Sequence, residues 1–68
     1  MDYARMLALR VIAKNPRTVA DSNKALREVL EKEGYVDQNS PNTVSLRIDV
    51  ANAAREIMDE RSNRRRVS

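Results

Sequence analysis

The sequence contains no cysteine, no histidine, no phenylalanine and no tryptophan, and it has a single glycine. Disulfides are therefore excluded, and so is every metal site built on thiolate or imidazole ligands. The remaining acid–base candidates are scattered carboxylates, two tyrosines and lysines, none of them placed in an evident apolar pocket. Gly34 alone cannot form a glycine-rich phosphate loop. We therefore expect a protein that acts by binding and not by catalysis, with no metal and no cofactor.

Long apolar runs are also missing. No stretch approaches the roughly 18 apolar residues of a membrane helix, and Met1 and Asp2 begin no secretory signal, because a basic start and a separate apolar segment are lacking. We accordingly expect a cytoplasmic protein without a membrane partner. The 68 residues correspond to one domain, and a domain of this size buries only about 60% of the surface of its unfolded chain. Oligomerisation would stabilise so small a core.

Charge is distributed unevenly along the chain, although the net value is only +3. Residues 1–20 have four basic side chains against one acidic, which gives +3, and residues 21–60 have five basic against nine acidic, which gives −4. Residues 61–68 have four arginines and no acidic residue, which gives +4. The basic residues are thus concentrated at the two ends of the sequence. A nucleic-acid-binding surface would require them to be gathered in space.

The first helix is predicted from Asp2 to Lys14, a stretch without glycine or proline in which Asp2 is placed to cap the first turn. Pro16 ends it, because the residue before a proline is disfavoured in the α region. Its apolar side chains lie almost all the way round the helix. Such a helix either runs through the middle of the fold or packs against a second copy. The set that would form a homodimer interface is Met6, Leu9 and Ala13.

A second helix is predicted to begin with a cap at Asp21 or Ser22 and to end at Glu33, before Gly34. One face is apolar and the other charged: the first consists of Ala25, Leu26, Val29 and Leu30, and the second of Lys24, Arg27, Glu28 and Glu31. Charged pairs at i,i+4 spacing, such as Lys24 with Glu28, are typical of a solvated outer surface.

The period of the apolar residues changes after the polar turn at residues 37–42. Val44, Leu46, Ile48 and Val50 alternate with polar residues, which predicts a half-buried strand, paired with residues 35–36 in a β-hairpin. The alternative is one long helix starting after Pro41. Helical spacing returns from 51 to 61, and residues 62–68 have no apolar pattern and are predicted to be a disordered basic tail. The predicted fold is α+β, with three helices and one hairpin in a single domain at 1–61; the alternative is a small all-α bundle.

The segment LREVLEKEGYVDQNSPNTVSLRIDV, residues 26–50, resembles a winged helix-turn-helix DNA-binding domain. The resemblance implies that 21–33 is the recognition helix and that 37–43 is the wing. The family has three helices before the wing, and only residues 16–20 are available here for one of them, so the domain would be a reduced form. Carried over by position, the groove-facing residues would be Ser22, Asn23, Lys24 and Arg27, and the wing tip would be Gln38, Asn39 and Asn42. The recognition helix would, however, be net negative, whereas phosphate contacts favour positive charge.

A second resemblance covers TVSLRIDVANAAREI, residues 43–57, which is similar to the strand and first helix of a ribbon-helix-helix repressor. That family requires a further helix, and only seven residues follow Arg61.

Two functions are therefore expected from the sequence. The first is binding of duplex DNA by a small regulator of the kind that mobile elements encode, with Arg17, Lys24, Arg27 and the tail arginines Arg64, Arg65 and Arg66 touching phosphate. The second is a protein-binding adaptor or inhibitor that docks on a larger protein as a dimer.

Overall fold

The chain folds into three helices. The computed structural model describes the backbone of residues 2–16 and 23–67 and the side chains of 2–16 and 24–63. Helix α1 is Tyr3–Lys14, α2 is Asn23–Lys32 and α3 is Pro41–Val67. No strand occurs in these ranges, so the predicted α+β fold, its hairpin and the reduced winged helix are wrong, and the all-α alternative fits. Residues 37–43, predicted as a wing, form a turn and the first residues of α3.

Helix α1 begins and ends where the sequence predicts. The Asp2 carboxylate accepts a hydrogen bond from the backbone N–H of Ala4 at 3.1 Å, which satisfies one of the free donors of the first turn. At the other end the N–H of Asn15 donates to the carbonyl of Val11 at 3.0 Å, and Pro16 follows. The expected capping by Asp2 is thus confirmed.

Helix α2 ends in a Schellman motif around Gly34. The N–H of Tyr35 donates to the carbonyl of Leu30, and that of Gly34 to the carbonyl of Glu31, both at 3.0 Å. Gly34 has a φ of 100°, a conformation that costs glycine little and other residues more. Tyr35 then packs partly against the core, so that the chain turns back over the bundle.

Helix α3 begins within the cluster of polar residues at 37–42, which the sequence predicts to be a turn. The Asp37 carboxylate accepts from the N–H of Asn39 at 3.1 Å, and the Ser40 carbonyl accepts from the N–H of Val44 at 2.9 Å, so Ser40 caps the helix. Pro41 occupies the first helical position, where its lack of an N–H is harmless. The run that was predicted as a strand is the second and third turn of this helix.

The core is formed by one face of each helix. Its fully buried large side chains are Leu7, Val11, Leu30 and Val50, and five alanines lie among them: Ala4, Ala8, Ala25, Ala53 and Ala54. Small side chains allow helix axes to approach closely. Thr43 is the one buried polar residue among the described side chains, at 3% exposure. Each of the three helices packs against the other two, and the most extensive of these contacts is between α1 and α3.

Helix α3 is longer than the core that supports it. Its 27 residues correspond to about 40 Å at 1.5 Å per residue, close to the longest molecular dimension of 43 Å. Among the side chains that the structure describes, the last that packs partly on the core is Met58. The backbone of 62–67, predicted to be a disordered tail, continues the helix. The radius of gyration, 12.3 Å, exceeds the roughly 11 Å of a compact chain of this length.

Candidate nucleic-acid interface

The residues predicted to contact DNA from the second helix lie on or before α2. Lys24 and Arg27 are exposed on this helix. Asn23 is its first residue, whereas Arg17 and Ser22 fall outside the described residues. Of the DNA contacts predicted on this side of the molecule, only Lys24 and Arg27 have side chains that the structure places on the surface.

A polar cluster joins the end of α1 to α2. The Lys14 ammonium donates to the Glu28 carboxylate at 2.9 Å. This hydrogen bond and the positive charge of Lys14, with smaller contributions from Lys24 and Lys32, hold the pKa of Glu28 below its usual range. Beside the pair lies an open depression of about 430 Å³, lined by Lys14, Asn15, Lys24, Ala25 and Glu28. The depression has two cations but also a carboxylate, so its net charge is only +1.

A second polar cluster surrounds the end of α2. The Glu33 carboxylate accepts from the Arg10 guanidinium at 3.0 Å and from the Tyr3 hydroxyl at 3.2 Å. Partial burial of the phenol, together with its hydrogen bonds to Tyr35 and Glu33, raises the pKa of Tyr3 to about 12. The neutral hydroxyl therefore persists throughout the physiological range. The cluster connects α1 to the residue that follows α2.

These pairs also give the direction of the helices. Lys14 near the end of α1 meets Glu28, whereas Arg10, one turn earlier, meets Glu33, so α1 and α2 are antiparallel. Arg5 in the first turn meets Glu60 of α3 at 3.0 Å. Arg5 and Lys14 are nine residues apart, or about 13 Å along the helix. Glu60 therefore lies at one end of α1, and Lys24, which shares a depression with Lys14, lies at the other.

The arginine-rich end of α3 is the most basic part of the described structure. Arg61, Ser62 and Asn63 are exposed, and Arg64, Arg65 and Arg66 follow in helical conformation. It extends from the end of α1 at which Arg5 meets Glu60. The structure thus separates the predicted DNA contacts into two groups, with Lys24 at the opposite end of α1 from the arginines. The arginine tail, which was predicted separately from the winged-helix resemblance, therefore does not form one surface with the predicted recognition helix.

The remaining predicted site residues are dispersed. Asn42, expected at a wing tip, is an exposed residue in the first turn of α3. Of the predicted dimer interface, Met6 is half-buried against the core, whereas Leu9 is 45% exposed and Ala13 is also exposed. The outer face of α1 therefore combines apolar and polar side chains, and its apolar side chains Leu9 and Ala13 are exposed.

Arg5 and Glu60 were not singled out from the sequence. They are 55 positions apart, and no local spacing connects them. Only the packing of α1 on α3 brings them together.

Neither a metal centre nor a membrane span is found in the described ranges. No group of three or more acidic side chains there is arranged to hold a metal ion. None of the helices is long and apolar enough to cross a bilayer.

Comparisons with known proteins found no match for this chain among protein families, curated proteins or solved structures.

Proposed function

We propose that the protein binds duplex DNA through the basic end of α3, defined as residues 61–67. The observation that carries the proposal is that α3 continues as a helix beyond Met58, the last described side chain that packs on the core, and that residues 61–67 contain four arginines and no acidic residue. Arginine donates paired hydrogen bonds to phosphate and keeps its charge at every physiological pH. Four of them could neutralise several phosphates.

The shape of this segment suits a duplex. An α-helix with its side chains is about 10 to 12 Å wide, and the major groove of B-DNA is about 12 Å wide. The nine residues from Asp59 to Val67 correspond to about 13 Å of helix beyond the core. Duplex DNA carries one negative charge per about 1.7 Å along its axis, so a helix end of this size meets several phosphates at once.

Single-stranded nucleic acid is a poorer fit, because such binding uses aromatic side chains on which bases stack. The chain has two tyrosines as its only aromatic residues. The Tyr3 hydroxyl is bonded to Glu33, and Tyr35 is half-buried against the core. Neither ring lies on the basic end of α3.

The experiment is an anisotropy titration of a labelled mixed-sequence duplex, from about 50 to 200 mM salt. We expect the double variant Arg64→Gln with Arg65→Gln to lower the slope of log K against log salt by about 1.8, or about 0.9 for each lost phosphate contact. The matched control, Lys32→Gln with Arg55→Gln, removes the same charge from exposed positions of α2 and α3. An equal loss in both variants, or no binding by the wild type at low salt, would overturn the proposal.

A second candidate function, docking on another protein or on a second copy, is favoured by the exposed Leu9 and Ala13 on the outer face of α1. If a second copy covers this face, the wild type will sediment as a dimer at micromolar concentration and Leu9→Glu as a monomer, because a buried unpaired charge is costly. Ile48→Glu is the matched control, since Ile48 is 54% exposed on a different helix. A monomeric wild type would argue against the dimer.

A further inference from the structure

The ion pair between Arg5 and Glu60 lies at the boundary of the basic end of α3. The Arg5 guanidinium donates to the Glu60 carboxylate at 3.0 Å, and both side chains are about half exposed, at 41% and 55%. An ion pair as exposed as this contributes little to folding stability. Its position immediately before the arginines suggests another role.

Glu60 has a competing partner on its own helix. Glu60 stands four positions before Arg64 in the sequence. No other acidic residue stands three or four positions before one of the four arginines at 61–66. A glutamate four residues before a basic residue is the favoured orientation for a pair on a helix surface. A Glu60 carboxylate without another partner would therefore compete with phosphate for Arg64.

We propose that Arg5 is a positioning residue for the binding described above: it holds the Glu60 carboxylate on the side of α1 and so keeps Arg64 available to phosphate. Arg5 acts through Glu60 and does not itself touch the nucleic acid. The inference rests on the proposed DNA binding by residues 61–67 and assigns one residue outside that segment to its function.

The experiment compares Arg5→Ala with Arg10→Ala. Both variants remove one positive charge from α1, and both break one ion pair of the same length, 3.0 Å; Glu33 keeps its hydrogen bond from the Tyr3 hydroxyl. Only Arg5→Ala releases a glutamate at helical spacing from a tail arginine. At about 50 mM salt we expect Arg5→Ala to bind a mixed-sequence duplex about twofold more weakly than Arg10→Ala, and its salt slope to fall by up to about 0.9.

Rescue is the second half of the test. In the double variant Arg5→Ala with Glu60→Gln the competing carboxylate is absent, so affinity and salt slope should return to wild-type values. Arg10→Ala with Glu33→Gln is the corresponding control and should also match the wild type. Circular dichroism on all four variants checks that the helices remain.

The outcomes distinguish a failure of the proposed DNA binding from a failure of the positioning role of Arg5. If the wild type binds no DNA, the proposed function fails before Arg5 is tested. If it binds and Arg5→Ala behaves like Arg10→Ala, the role of Arg5 is overturned and DNA binding stands. If the double variant stays as weak as Arg5→Ala, Arg5 contacts phosphate directly, which also overturns the positioning role.

Discussion

The substitutions Val50→Ala and Ile48→Ala test whether residues 43–50 are helical in solution. In a strand, side chains two positions apart lie on the same face, so both substitutions would have similar effects. In α3 the same two side chains are about 160° apart around the helix. Val50 is fully buried there, whereas Ile48 is 54% exposed. The helix therefore predicts very unequal losses of stability.

The expected magnitudes follow from burial. Val50→Ala deletes two buried methyl groups, each worth about 0.8 kcal/mol in transfer free energy. With the cavity left between the helices, the cost is about 2 to 3 kcal/mol. A chain of 68 residues has a total unfolding free energy of about 3 to 10 kcal/mol, so this loss is a large fraction of the whole. Ile48→Ala should change stability by no more than about 0.5 kcal/mol, as is usual at exposed positions.

The measurement is thermal and urea unfolding followed by circular dichroism at 222 nm, the wavelength that reports helix. We expect Val50→Ala to lower Tm by about 10 °C or more and Ile48→Ala to change it by less than about 4 °C. Equal losses in the two variants would refute the helical register of this segment. A Val50→Ala variant as stable as the wild type would refute the placement of Val50 in the core.

Three further predictions concern a turn, an ion pair and the helix end. Gly34→Ala should destabilise the protein by about 1 to 2 kcal/mol in urea unfolding, because φ is 100° and no neighbour lies within 4 Å of the added Cβ, so the cost is backbone strain alone. Since the folded-state pKa of Glu28 is lowered, its stabilising effect is present above its ordinary pKa of 4.5 and disappears as pH falls through the lowered value. The stability difference between wild type and Glu28→Gln should accordingly shrink below about pH 4.5 in urea unfolding at successive pH values. Deletion of residues 62–68 should leave Tm almost unchanged but reduce the salt slope of DNA binding by up to about 2.7, three arginines at about 0.9 each.

The two shorter helices could be predicted from sequence because their signals are local. Asp2 caps α1 and Pro16 follows its end, and the face formed by Ala25, Leu26, Val29 and Leu30 is buried in α2 as expected. Each of these signals depends on residues within one or two turns. No knowledge of the other helices is required.

The predicted strand is wrong because the alternation of apolar residues on which it rests extends over only a short part of the third helix. From 44 to 50 the apolar residues alternate, as in a strand. Over a longer range the residues that pack inward follow a helical period, as the spacing of Thr43, Leu46, Val50, Ala54 and Ile57 shows. Ser40 and Pro41 are a standard helix start, but they stand in a cluster of turn residues, which predicts only a turn.

The ion pairs show how the fold arranges the uneven charge pattern of the sequence. Three of the four basic residues in 1–20 are paired with glutamates of the acidic middle: Arg5 with Glu60, Arg10 with Glu33 and Lys14 with Glu28. The first basic segment thus largely neutralises the acidic one, and little of its charge remains for a ligand. Residues 61–68 have a charge of +4 and no carboxylate of their own. Because an approaching polyanion responds to charge that neighbouring side chains do not compensate, this distribution is the reason for proposing the end of α3 as the phosphate-binding segment.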